Sequence, residues 1–199
     1  MKRCATRSRR PIFFALIVTT AFVSLRSQAA SGDLDEVMRI LALRQHGRVE
    51  FVDQQFLAAL KRPLESTGEM TYDAPDRLAK RTLKPRPETV LLEGGMVTLE
   101  RGRSRRVVDL HLYPQLLPFI ESIRATLAGD RPALERVFHV EFAGSVDRWT
   151  LTLVPLDRQV EKYAAQVRIV GVRDELQQVE IRQADGDRSL MTLRPIATP

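Results

Sequence analysis

The sequence predicts a mainly β fold: a strongly curved antiparallel sheet, left unclosed as an incomplete barrel, with helices covering its concave face. Three observations lead there. From Arg48 to Leu112, and again from Phe138 to Arg194, apolar residues recur at every second position, the period of half-buried strands. The connections between these runs are short and rich in Gly, Pro and charge, too short to hold crossover helices, so neighbouring strands pair antiparallel. One leading helix and one mid-chain helical insertion are the remaining elements, and a sheet of ten or eleven strands must curl and have its inner face covered.

The chain opens with a segment that does not belong to this fold. Met1 to Ala29 holds six basic residues and no acid; Lys2, Arg3, Arg7, Arg9 and Arg10 precede the apolar run Ile12 to Val23, and Ser27-Gln28-Ala29 follows with small residues. This is the layout of a cleaved secretory signal, with cutting expected after Ala29. The apolar run is shorter than the ~20 residues a membrane-spanning helix needs. With these six removed from the 31 Lys and Arg, 25 remain against 25 Asp and Glu, so the mature protein is formally neutral although the whole chain has an isoelectric point of 10.0. A neutral balance points away from a nucleic-acid partner, which needs a basic surface. The single cysteine, Cys4, leaves with the signal, and Ser24 to Ala30 offers none for acylation, so a released domain without a permanent membrane anchor is expected.

The mature domain, Ala30 to Pro199, then reads as one unit. Asp33 and Glu36 have capping-box spacing, and Leu34, Val37, Met38 and Leu41 recur at helical intervals, predicting a helix to about Gln45 that Gly47 stops. Strands follow around Val49 and Phe51, around Met70 and Tyr72, from Arg77 to Leu83, at Val90 to Leu92, at Met96 to Glu100 and from Arg105 to Leu112. Gly94-Gly95 joins two of them as a tight hairpin. Leu116, Phe119, Ile120, Ile123 and Leu127 then share one helical face, ended by Gly129, and a short helix spans Arg131 to about Arg136. Strands resume at Phe138 to Phe142, Arg148 to Leu153, Val167 to Val172, Gln177 to Gln183 and Ser189 to Arg194.

Catalytic patterns are lacking in the sequence. The three histidines, His46, His111 and His139, are scattered, without metal-ligand spacing. His139 and Glu141 share a strand face, but it is the face opposite the apolar one, which predicts a solvated pair. There is no nucleophile elbow and no phosphate-binding or dinucleotide loop, so neither an enzyme nor a cofactor is implied.

The run Gly68-Glu69-Met70-Thr71-Tyr72-Asp73-Ala74-Pro75-Asp76-Arg77-Leu78 resembles the strand-turn-strand signature of the periplasmic outer-membrane lipoprotein carrier family (LolA-like), and Leu91-Leu92-Glu93-Gly94-Gly95-Met96-Val97 is similar to that family's glycine hairpin. Element order agrees from Asp33 to Arg194. The resemblance implies an unclosed eleven-stranded barrel with an apolar concavity and a helical lid. It also implies a carrier that takes acyl-bearing cargo, the chains of a lipid or lipoprotein, from an inner-membrane donor complex to an outer-membrane acceptor, as a monomer. On that resemblance Phe51, Met70, Tyr72, Val97, Leu99, Trp149, Leu151 and Leu153 are cargo-binding cavity residues, and Leu116, Phe119, Ile120 and Ile123 form the lid; ordinary core packing is the competing reading of the same alternation. The family's lid-latching arginine before the proline is Ala74 here, so the latch is absent or replaced by Arg77 or Arg81. The chain therefore reads as a divergent member whose cargo is a lipoprotein or another lipid, such as an aryl polyene-type lipid. The alternative reading is a non-catalytic periplasmic protein-interaction module that uses the same concave sheet.

Overall fold

The computed structural model describes residues 26–113 and 117–196. Eleven strands form one sheet: β1 (His46–Phe56), β2 (Leu64–Asp73), β3 (Arg77–Lys84), β4 (Glu88–Glu93), β5 (Met96–Arg101), β6 (Ser104–Asp109), β7 (Phe138–Ser145), β8 (Arg148–Pro155), β9 (Gln166–Val172), β10 (Glu175–Arg182) and β11 (Arg188–Pro195). The helices are α1 (Arg26–Ala42), α2 (Leu117–Leu127), α3 (Arg131–Val137) and the single turn α4 (Arg158–Glu161). Spatial order is β6-β5-β4-β3-β2-β1-β11-β10-β9-β8-β7, with every pair antiparallel. The chain thus enters the sheet at its middle, works outward by hairpins to β6, crosses through α2 and α3 to the opposite edge at β7, and returns inward to close β11 onto β1. The two edges, β6 and β7, do not pair, so the curved sheet stays unclosed.

Turn chemistry sets this path. Gly94 and Gly95 both hold positive φ, 56° and 76°, which a two-residue hairpin needs at both central positions and side chains resist. Asp130 caps α3 by accepting from the Ala133 N–H at 3.0 Å, and Pro132 sits in the first turn, where its missing N–H costs nothing. Arg131 joins α3 to α1 through Asp35 at 2.6 Å, and Arg44, just past α1, donates to the Asp174 carbonyl at 2.7 Å.

Three boundaries differ from the sequence reading. α1 ends at Ala42, and Gly47 lies inside β1, its carbonyl and N–H used by the ladder rather than by a helix stop. α1 begins at Arg26, ahead of the position expected for cleavage. The last part of the expected Arg105–Leu112 strand is a 3-10 turn, Leu110–Leu112, because the Asp109 carboxylate accepts from the His111 N–H at 2.9 Å and turns the backbone out of the sheet.

The core is one-sided. Leu34, Val37, Met38 and Leu41 of α1 pack with Leu134 and Phe138 and with Trp149, Leu151, Leu153, Val167 and Ile169, so the β7–β10 half of the sheet is filled. Each such burial stabilises the fold by about 1.5–3 kcal/mol. Trp149 is 1% exposed and donates its indole N–H to the Arg173 carbonyl at 2.9 Å. Its ring packs against Gly171, where an added Cβ would stand 2.2 Å from Cζ2. Gly171→Ala should therefore lower unfolding free energy by about 2–3 kcal/mol through overpacking, read as a drop in the urea midpoint with little change in slope.

Candidate functional site

Residues directly opposed in an antiparallel ladder share a face, so the register assigns the inner surface strand by strand. On the β1–β6 half it falls into three rows. The first runs Tyr72, Leu78, Leu92, Val97, Val108; the second Val49, Met70, Lys80, Val90, Leu99, Arg106; the third Phe51, Gly68, Thr82, Glu88, Arg101. The same face continues through Leu193, Met191 and Val179 to Ile169, Leu151 and Phe142. All eight expected cavity residues therefore lie on one face, the one the helices cover.

Burial divides them. Trp149, Leu151 and Leu153 are 1%, 0% and 0% exposed and lie within the filled core under α1. Phe51 is buried at the midline. Tyr72 is buried at the end of β2, whereas Met70, Val97 and Leu99 are half-exposed. Among the described residues, no apolar side chain on β3, β4, β5 or β6 is fully buried. The inner surface is thus a packed wall on one side and a partly open apolar strip on the other.

α2 presents two different faces. Ser122, Ala125 and Thr126 are buried, the Thr126 hydroxyl donating back to the Ser122 carbonyl at 2.7 Å, and the following Gly129 approaches α1 so closely that a Cβ there would lie 2.0 Å from the Met38 carbonyl. Ile120 and Ile123 are only half-buried and are not among the residues packed on the core. The helix therefore docks by small residues and leaves the expected lid residues Ile120 and Ile123 partly free. Leu116 and the side chain of Phe119 lie outside the described residues.

Polar groups on this face were missed by pattern. Asp53 is 2% exposed; its carboxylate accepts from the Ser189 hydroxyl at 2.7 Å and from Lys80 Nζ at 3.0 Å, and Lys80 lies 4.7 Å from the Phe51 ring centre. Both occupy the apolar phase of their strands, Phe51-Val52-Asp53 and Leu78-Ala79-Lys80, which was the available signal. Beyond them Glu88 pairs with Arg101. The face thus grades from apolar at Tyr72 to ionic at Arg101. Burial pushes the Tyr72 phenol above its ordinary range, with Arg124 of α2 opposing and Asp76 adding to the rise, so the hydroxyl stays protonated.

Neither proposed substitute for the family latch reaches α2. Arg77 is committed to Asp73 at 2.8 Å and to Glu93, and Arg81 is exposed on the outer face, in register with Glu69 and Thr89. The histidines stand at the surface beside carboxylates: His46 with Asp73, His111 with Asp109, and His139 with Glu141 at 3.6 Å. The His46 and Arg77 contacts hold the Asp73 carboxyl below the usual carboxylate range. Among the described residues, no group of His, Cys, Asp and Glu is arranged to hold a metal, and no helix is long and apolar enough to cross a membrane. A depression of about 500 Å³ is bounded mainly by outer-face residues, Glu50, Val52, Gln54, Glu69, Thr192 and Arg194, and reaches Phe51 and Gly68 at the sheet midline.

The architecture is an unclosed antiparallel barrel with helices over its concave face. The chain belongs to the family of LolA-like outer membrane lipoprotein carrier proteins, whose family model matches residues 26–198. No curated protein matches the sequence. Among solved structures it is similar in fold to a LolA superfamily protein from Nitrosomonas europaea, at 11% identity over 85% of this chain and 94% of that one, TM-score 0.43. It is similar also to a putative outer membrane lipoprotein-sorting protein domain from Vibrio parahaemolyticus, at 10% identity over 85% and 94%, TM-score 0.44. The MucB of a MucA/MucB complex from Pseudomonas aeruginosa is 17% identical over 84% of this chain, which spans 58% of that one, TM-score 0.47.

The buried ion pair gives a direct check on this geometry. Lys80→Met leaves the Asp53 carboxylate enclosed with Ser189 alone and should cost about 2–3 kcal/mol in urea unfolding. Adding Asp53→Leu should recover most of that loss, the signature of coupling between the two sites.

Proposed function

We propose that the protein is a periplasmic carrier that binds the acyl chains of a lipoprotein or another lipid-linked molecule and moves them from an inner-membrane donor to an outer-membrane acceptor. One observation carries the reading: apolar side chains stand in register across β2–β6 on the concave face, and those on β3–β6 keep part of their surface exposed while the helices fill the other half. An acylated molecule cannot cross water efficiently alone, because each CH₂ it buries is worth about 0.8 kcal/mol. The half-open strip supplies that surface without any catalytic group.

In this reading Met70, Tyr72, Val97 and Leu99 contact the cargo and Phe51 marks the inner limit of the strip. Trp149, Leu151 and Leu153 back it from the packed side. α2 acts as the lid, with Ile120 and Ile123 turned toward the cargo; Leu116 and Phe119 belong to the same lid on the sequence resemblance alone. The segment Met1 to Ala29 directs export and is removed, releasing a soluble monomer.

Mass spectrometry of the protein purified from its own periplasm should release acyl species in near-stoichiometric amount; a tightly held polypeptide and no lipid would favour the interaction-module reading instead. Val97→Glu, on the inner face, should abolish lipid retention, while its neighbour Thr98→Glu, on the outer face, should retain it. Circular dichroism of both variants checks that the fold survives.

A further inference from the structure

Among the described residues, Tyr72 carries the buried side-chain polar atom that has no hydrogen-bond partner. The residue is 6% exposed, and its hydroxyl is enclosed. A buried unpaired hydroxyl is a loss that native folds avoid, and a phenylalanine would fill the same space without it. The hydroxyl therefore has no use within the described fold. Its position is specific: Tyr72 begins the most apolar row of the inner face and is followed by Leu78, Leu92, Val97 and Val108 on successive strands. On the other side its register partner is Gly47, which has no side chain to offer. The charges that act on it, Arg124 of α2 and Asp76 of the β2–β3 turn, do not hydrogen-bond it.

Four strand spacings of ~4.8 Å separate Tyr72 from Val108, about 19 Å in all, enough for a long acyl chain lying across the strands. A chain in that row would begin beside a single donor and otherwise meet only carbon. Resting on the carrier reading, we infer that the Tyr72 hydroxyl donates to the carbonyl oxygen that joins an acyl chain to its cargo. The face then selects ester- or amide-linked acyl chains over ether-linked or bare hydrocarbon chains. The bond it forms gives the Tyr72 hydroxyl the partner that it lacks among the described residues.

The experiment measures equilibrium binding of delipidated full-length mature protein to two probes of equal chain length: phosphatidylglycerol with ester-linked palmitoyl chains, and its ether-linked dihexadecyl analogue. Wild type should bind the ester about fivefold more tightly, the size of one neutral hydrogen bond. Tyr72→Phe should bind both alike, at the wild-type level for the ether, and should resist urea at least as well as wild type, since it removes an unpaired group. A wild type without ester preference, or a Tyr72→Phe that keeps it, overturns the inference while leaving the carrier reading standing. Loss of stability in Tyr72→Phe would also overturn it, by showing that the hydroxyl is already paired. Failure of wild type to bind either probe overturns the carrier reading and this inference with it.

Discussion

The packing of α1 onto the β7–β10 half of the sheet is the contact on which the rest of the molecule depends. Four apolar side chains of one helix, Leu34, Val37, Met38 and Leu41, meet Trp149, Leu151, Leu153 and Ile169 and convert that half into an ordinary dense core. α2 and α3 add Ala125, Ala133 and Leu134 to the same side. Cooperative stability is concentrated where the helices are. The other half of the sheet is carried by ladder hydrogen bonds and by its attachment through β1 and β11.

On the proposed carrier function, that division separates the job of staying folded from the job of staying open. A sheet whose inner face was filled throughout would have no place for an apolar guest, and one filled nowhere would not hold together. The Asp53, Lys80 and Ser189 cluster stands at the midline between the two regimes. Charges placed there are satisfied by each other across β1, β3 and β11, and so tie the open half to the packed one without adding apolar bulk. α2 fits the same logic: its small residues dock against the packed side and its isoleucines remain partly uncovered.

Much of this architecture was legible in the sequence, because strand period and turn chemistry are local. Phe51, Met70, Val97 and Leu151 fell on the correct face by alternation alone, and Gly94-Gly95 announced its hairpin. What covers each residue is not local. Leu151 and Val97 alternate identically, yet one is enclosed by a helix from the start of the chain and the other is not. The docking face of α2 is hidden for the same reason: tight approach to α1 and α3 selects Ser122, Ala125 and Thr126, and hydrophobicity is a poor guide where backbones nearly touch. Asp53 and Lys80 escaped notice because a polar residue in an apolar phase looks like a break in the pattern until its partner on another strand is known. The single turn α4 was hidden by its length, its one signal being Asp157, which accepts from the Gln159 N–H.

The division of the sheet into a packed half and a receiving half is tested most directly by amide hydrogen exchange on the delipidated protein before and after loading with a diacyl lipid. On this account the β7–β10 core and α1 are strongly protected in both states, and loading adds protection in β3 to β6 and in α2. Protection gained mainly in β7 to β10, or a β3–β6 half already as protected as the core when empty, would contradict it.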